Sequence, residues 1–244
     1  RVNQLPLGVV GVAVGTALLP LLSRQIRAGD EGAAACSQNR AVEFSFLLTL
    51  PAAAALFVIA DPLVRVLFER GQFGETQSLA TSATLSIFAI GLPAYVLVKA
   101  LAPGFFARGD TATPVKISVV AMIVNVALSL ILMGPFLHVG IAMATAASSW
   151  LNAGVMAYVL HRRGHLKADA RLKKRMARTM LASLVMVGVL YLAMAQLAPW
   201  LDGNILERAV ALAVLVAGGL LSFALLAQVS GAARLEDIKS LRRG

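Results

Sequence analysis

A single cysteine, Cys36, stands in 244 residues, so no disulfide can form within the chain. Charged side chains make up only 14% of the sequence, against about a quarter in an ordinary soluble domain. Aromatic residues amount to 6%. No basic stretch is interleaved with them, so the stacking platform of a single-strand binder is missing and no nucleic-acid partner is expected. The three histidines, His138, His161 and His165, have no metal-ligand neighbours at useful spacing. There is no phosphate-binding glycine loop and no glycine-rich turn after a strand. Without a cluster of acid, base, nucleophile or metal ligands, the expectation is a protein that is not an enzyme, with no cofactor.

Apolar residues are abundant: 59% of the chain, with a mean hydropathy of +0.80. They fall into seven long runs, 5–22, 42–60, 79–101, 115–133, 140–160, 179–197 and 209–229. A bilayer crossing takes about 20 such residues. The runs are continuous rather than alternating, which excludes a transmembrane barrel. Lipid leaves only helices to satisfy the backbone. The expected fold class is therefore all-α, a polytopic transmembrane helical bundle of about seven spans. The chain opens on Arg1 rather than methionine, directly at the first apolar run, and reads as a piece of a longer protein.

The 22 basic residues outnumber the 12 acids, and their placement sets orientation. Loops 23–40, 103–116, 161–178 and the tail 230–244 hold 17 of them, and the alternate loops hold 3. Lysine and arginine stay on the cytoplasmic side, so the C-terminus is expected inside. Segment 161–178 carries eight basic residues. It is expected to act as a cytoplasmic linker touching anionic membrane lipids, dividing residues 1–160 from a helical hairpin, 179–229, and a cytoplasmic tail, 230–244.

The two basic residues outside the loops are Arg1 and Lys99. Two readings of Arg1 stand open. If its span extends upstream it lies near mid-membrane, where an arginine costs several kcal/mol and marks a functional site. Its guanidinium would then suit a pyrophosphate. Otherwise it snorkels to the outer interface. Asn3, Gln4 and Pro6 follow within two turns, a polar, bent start to a helix that suits a cavity lining. Gly8, Gly11 and Gly15 share one face of the same run and suit close helix packing. Lys99 is expected to snorkel at the end of the third run, and Glu43 to occupy an ordinary helix-start position. Pro51 and Pro93 are expected to bend their helices. Asn125 and Ser129 share a face of the fourth run. Thr145, Ser148, Ser149 and Asn152 cluster on the fifth. The pair of runs is expected either to hydrogen-bond together or to hold a cation.

The run RVNQLPLGVVGVAVGTALLP, 1–20, resembles the signature span of the MurJ (MviN) family of lipid II flippases. LFERGQF at 67–73, GLPAYVLVKALAPGFFARGDTATPVK at 91–116 and HVGIAMATAASSWLNA at 138–153 follow in the family's order. The resemblance covers essentially the whole chain. It implies the second lobe of an exporter-superfamily fold, helices eight to twelve of fourteen, plus a C-terminal helix pair lining a groove for a lipid tail. It also implies a bacterial inner-membrane location, lipid II as the substrate partner, and an N-terminal half of the same protein. Arg1 aligns with a cavity arginine needed for function in the family, which favours its anion-binding reading, with Asn3 and Gln4 beside it. Some members are known to hold sodium between helices seven, eleven and twelve. Asn125 and Thr145 match such ligand positions, but Ser129 stands where those members carry a carboxylate. The competing expectations are an exporter of other oligosaccharide-lipids or drugs, and a non-transporting membrane scaffold. The first calls for cavity carboxylates, which the runs almost lack, and the second needs no intramembrane arginine.

Overall fold

The computed structural model describes residues 12–231. Seven helices follow in chain order: α1 (Val12–Arg27), α2 (Glu31–Val58), α3 (Ala60–Phe68), α4 (Glu75–Phe106), α5 (Ala112–Arg162), α6 (Ala170–Leu201) and α7 (Ile205–Ser230). Among the described residues the only β feature is one isolated bridge, Arg70 to Phe73. Helices α2, α4, α5, α6 and α7 are long and apolar enough to cross a membrane. The expected all-helical fold is observed. The first expected span lies partly outside the described residues, and α1 is its continuation.

Helix α5 is 51 residues long, but it is two crossings rather than one. At Leu137 the backbone leaves the helical region, with φ 50° and ψ −130°. Beyond it the chain runs back along itself. Asn125 reaches Ser148 at 2.9 Å, and Asn152 reaches Ser118 at 3.4 Å. Partners spaced symmetrically about residues 135 to 137 are the signature of an antiparallel hairpin. The fourth and fifth expected spans are therefore its arms, 112–136 and 138–162, joined by a reversal tighter than the expected outer loop. A leucine at positive φ with an extended ψ carries about 1–3 kcal/mol of strain. The Leu137 side chain is exposed, so it gains little from burial. Leu137→Gly is expected to raise the thermal unfolding midpoint of the full-length protein. An unchanged or lower midpoint would show that the backbone there is unstrained.

Side-chain chemistry sets the helix ends. Asp30 caps α2 by accepting from the Ala33 amide at 2.8 Å, after a turn that Gly29 permits at φ 77°. Asp169 caps α6 through the Leu172 amide at 2.8 Å. Asn204 and Glu207 form a reciprocal capping box on α7, and such caps satisfy amides that the helix cannot. Helix α6 begins at Ala170, so the second half of the expected basic linker is helical. Short α3 lies within the expected 61–77 loop. Nine residues cannot span a bilayer, and hydropathy alone passes it by.

Helix α4 is the centre of the bundle. Half of its most apolar stretch is buried, against 11% for α5. It packs on α2 and α5, and small residues are buried on both sides: Ala89, Gly91, Ala94 and Ala100 on α4, and Ala142, Ala144, Ala146 and Ala153 on the return arm of α5, with a Cβ on Gly91 falling 3.1 Å from the Ala146 Cα. In lipid, helices gain from close backbone approach rather than from hiding apolar bulk. Large side chains accordingly face outward, among them Val119, Met122, Ile123, Val126 and Leu130 on the first arm of α5. Helices α6 and α7 pack on each other and on α2 and α3 around Val58, Met186, Leu190, Leu212 and Leu215.

Candidate functional site

Polar residues gather at the two ends of the bundle and once in its middle. At the end bearing residues 28–30, 107–111 and 163–169, polar chemistry is concentrated within two turns of α2. Gln38 donates to the Ala100 carbonyl at 2.8 Å, fully inside the bundle. Asn39 donates to the Lys167 carbonyl at 2.6 Å. Glu43 is buried and receives Arg40, Arg175 at 2.5 Å and Arg171 at 3.8 Å. Arg40 also pairs with Asp169. Glu43 was expected at a helix start. Instead α2 begins at Glu31, which puts Glu43 more than three turns inside. The acid is placed there to hold α6 on α2. The apolar run begins near residue 42 while the helix begins upstream in polar sequence, and this misled the hydropathy reading. Lys99 likewise lies two turns before the end of α4, half-buried.

The turn between α4 and α5 belongs to the same end. Asp110 accepts from the Thr113 amide at 2.9 Å and from Arg163 at 2.5 Å, and Arg163 also reaches the Thr113 hydroxyl. The Thr113 hydroxyl and then Arg163 hold the Asp110 carboxyl well below the usual carboxylate range. A lowered carboxylate adds stability above its unfolded pKa, about 3.9, and loses it as pH falls through the folded value. Asp110→Asn is therefore expected to lower the unfolding midpoint modestly at pH 7, by less at pH 4, and by progressively less below it. A penalty independent of pH would mean the cap, not the charge, is what Asp110 contributes.

In the middle of the α5 hairpin, Asn125 donates to the Ser148 hydroxyl at 2.9 Å, and Ser129 donates to Asn125 Oδ1 at 3.4 Å. Ser148 and Ser149 donate back to the Thr145 carbonyl. The Thr145 hydroxyl donates to Ile141 at 2.8 Å and is exposed. The structure thus brings Asn125, Ser129 and Ser148 together, while the Thr145 hydroxyl bonds within its own helical arm. No group of three or more histidine, cysteine, aspartate or glutamate side chains suited to a metal occurs among the described residues. Arg1, Asn3 and Gln4 lie outside the described residues, as do Gly8 and Gly11.

At the opposite end, α3 meets the α6–α7 turn. Arg65 pairs with Asp61 at 2.9 Å and lies 4.0 Å from Asp202. Arg208 pairs with Glu69 at 3.2 Å and donates through Nε to the Gly203 carbonyl. The Ser78 hydroxyl, with Arg208, holds the Glu69 carboxyl below its ordinary value, against an opposing push from burial. A cavity of about 200 Å³ opens between these groups. A second, wider cavity of about 640 Å³ lies along α4, with Gln77, Thr81, Thr84, Phe88 and His138 on its wall. Sequence reading missed both. The first joins residues more than 130 positions apart, and the second depends on which face α4 leaves uncovered.

Six membrane-crossing helical segments, packed through small residues and tied by buried hydrogen bonds, define an integral membrane protein. The chain belongs to the MurJ family: the model described as "Lipid II flippase MurJ" matches residues 1–211. A relative in Rhizobium meliloti (strain 1021), "Probable lipid II flippase MurJ", is 44% identical over 100% of this chain and 46% of its own length. One of the same description in Rhizobium tropici is 48% identical over 78% of this chain and 36% of its own. The chain spans about half the length of the curated relatives it matches. A solved structure, "Lipid II flippase MurJ, inward closed conformation", superposes with a TM-score of 0.75 over 94% of this chain and 45% of that one, at 23% identity, and so shares the fold.

Proposed function

We propose that the chain is the second lobe, with its closing helix pair, of a flippase that carries lipid II across the bacterial inner membrane by alternating access. Family membership through residue 211 is the observation that supports this most directly. The charge asymmetry supports the orientation: the end holding 17 of the basic residues faces the cytoplasm, with the C-terminus inside. The part of the relatives that this chain does not span supplies the first lobe. The protein transports rather than catalyses, and rocking of the lobes exposes one cavity to each leaflet in turn.

Arg1, with Asn3 and Gln4, contacts the pyrophosphate of the substrate. A guanidinium offers two parallel donors to such a group, and in the low-dielectric cavity each is worth more than in water. Asn125 ties the arms of α5 through Ser148, while Ser129 and Thr145 bond within their own arms. A monovalent cation such as sodium would take the oxygen lone pairs of Asn125, Ser129 and Thr145, which their donated hydrogen bonds leave available, and sodium-independent transport would remove that role. Any drive from the membrane potential amounts to about 2.3 kcal/mol per charge per 100 mV.

The test is complementation by the full-length gene in a bacterium depleted of its own lipid II flippase. The intact protein is expected to restore growth, and a stably inserted Arg1→Ala variant is expected to fail. Rescue by both leaves the flippase and removes the role of Arg1. Failure of an inserted intact protein removes the flippase reading and favours a related exporter.

A further inference from the structure

The smaller cavity, between α3 and the α6–α7 turn, has a makeup that packing alone does not explain. Its rim holds two cations, Arg65 and Arg208, and two anions, Asp61 and Asp202. Its floor is apolar, with Val66, Met194 and Leu201 among its residues. The lining residues carry two charges of each sign, and Glu69 behind Arg208 adds a third acid, so the surroundings are strongly dipolar with a slight negative excess. Its ion pairs leave valence open. Asp61 presents Oδ2 to Arg65, and its side chain stays 40% exposed. Asp202 is largely exposed and reaches Arg65 only at 4.0 Å. A carboxylate so loosely paired keeps acceptor capacity for a group that brings hydrogen-bond donors of its own.

The position of the cavity narrows the ligand. It lies where two membrane-crossing helices end and turn, beside Trp200, which is half exposed on the same turn. Tryptophan at a helix end marks the headgroup level of a bilayer. An apolar floor under a ring of mixed charges at that depth matches an amphipathic ligand with both signs of charge. A phosphate would meet Arg65 and Arg208, an ammonium would meet Asp61 and Asp202, and the acyl region would lie on Met194 and Leu201. An anionic lipid would leave the two aspartates facing its phosphate. A quaternary ammonium has no N–H to donate to Asp202.

We propose that this cavity binds the headgroup of a zwitterionic phospholipid with a primary ammonium, of the phosphatidylethanolamine type, seating the α6–α7 pair against α3. The site is independent of the transported substrate. Only its assignment to the outer leaflet rests on the orientation proposed above.

The test uses the full-length protein, delipidated in detergent, with native mass spectrometry and thermal unfolding as readouts. The probes are phosphatidylethanolamine, phosphatidylcholine, phosphatidylglycerol and free O-phosphoethanolamine. The first is expected to bind about five- to tenfold more tightly than the second and third, the worth of one charge-assisted hydrogen bond at a partly exposed site, and to raise the unfolding midpoint. The double variant Asp61→Asn, Asp202→Asn is expected to lose that preference and keep the lipid-free midpoint. Asp202→Asn alone, on an exposed side chain, is expected to lose part of it and keeps the test valid if the double variant misfolds. Equal binding of the three lipids overturns the proposal, as does tighter binding of phosphatidylglycerol or a preference undiminished in Asp202→Asn. Free O-phosphoethanolamine that binds as tightly as the lipid replaces the membrane source with a soluble one and overturns it too. None of these readouts depends on flipping, so loss of the flippase reading leaves them intact.

Discussion

Glu43→Ala is expected to destabilise the full-length protein by about 3 kcal/mol, the lower edge for breaking a buried ion pair by removing one partner. The reason lies in what remains. Glu43 is the shared acid of Arg40, Arg171 and Arg175. Arg171 is half exposed and can turn to water, and Arg40 keeps Asp169. Arg175 is 14% exposed and loses the carboxylate it meets at 2.5 Å, so less of its desolvation is offset. Helix α6 is then held to α2 at this end by Arg40 with Asp169 and by Asn39 with the Lys167 carbonyl. A lower unfolding midpoint in detergent checks this, and weaker complementation should accompany it through the loosened α6–α7 pair. The combined variant Glu43→Leu, Arg175→Leu should recover at least half of the loss, because removing both charges removes the desolvation cost of the pair along with its attraction. A midpoint unchanged in Glu43→Ala, or a double variant worse than the sum of its parts, would show that the cluster is a surface feature.

Gly140→Val is expected to be at least as severe, about 3 kcal/mol and at the upper end for overpacking. Gly140 follows the reversal at Leu137, where the return arm of α5 crosses closest to the first. A Cβ built there falls on the Leu132 carbonyl, 2.6 Å from its carbon and 3.0 Å from the Leu132 Cβ. The obstruction is backbone, so no rotamer change relieves it, and the arms must separate. Separation breaks the register that pairs Asn125 with Ser148 and Asn152 with Ser118. The expected result is a sharp fall in membrane accumulation at unchanged transcript level. Gly134→Val is the control, since a Cβ on Gly134 meets nothing within 4 Å. Equal loss in both variants would place the defect in the loss of glycine flexibility rather than in contact.

Much of the architecture was legible in one dimension. Continuous apolar runs specify helices because lipid leaves the backbone no alternative, and six of the seven runs appear as crossings among the described residues. Asp30, Asp169 and Asn204 were not singled out as caps, although capping is a local signal. The role of Glu43 had no local signal at all. A charge at the edge of an apolar run looks the same whether it starts a helix or sits three turns inside one. Only the partners, Arg171 and Arg175 at about 130 residues' distance, tell the two apart. The polar group on the α5 hairpin was half legible. Helical periodicity placed Asn125 and Ser129 on one face, but the register between arms, which selects Ser148 over Thr145, is set at Leu137 and Gly140.

The sequence by itself determined the class of protein, its crossings and the sidedness of its charge, because each of these depends on residue type summed over a local stretch. The tertiary structure alone decided which charges meet. The Glu43 cluster, the Arg208–Glu69 pair and the dipolar cavity beside Trp200 each join residues that are remote in the chain. Helix packing through small residues brings them together, and its geometry is not additive along the sequence.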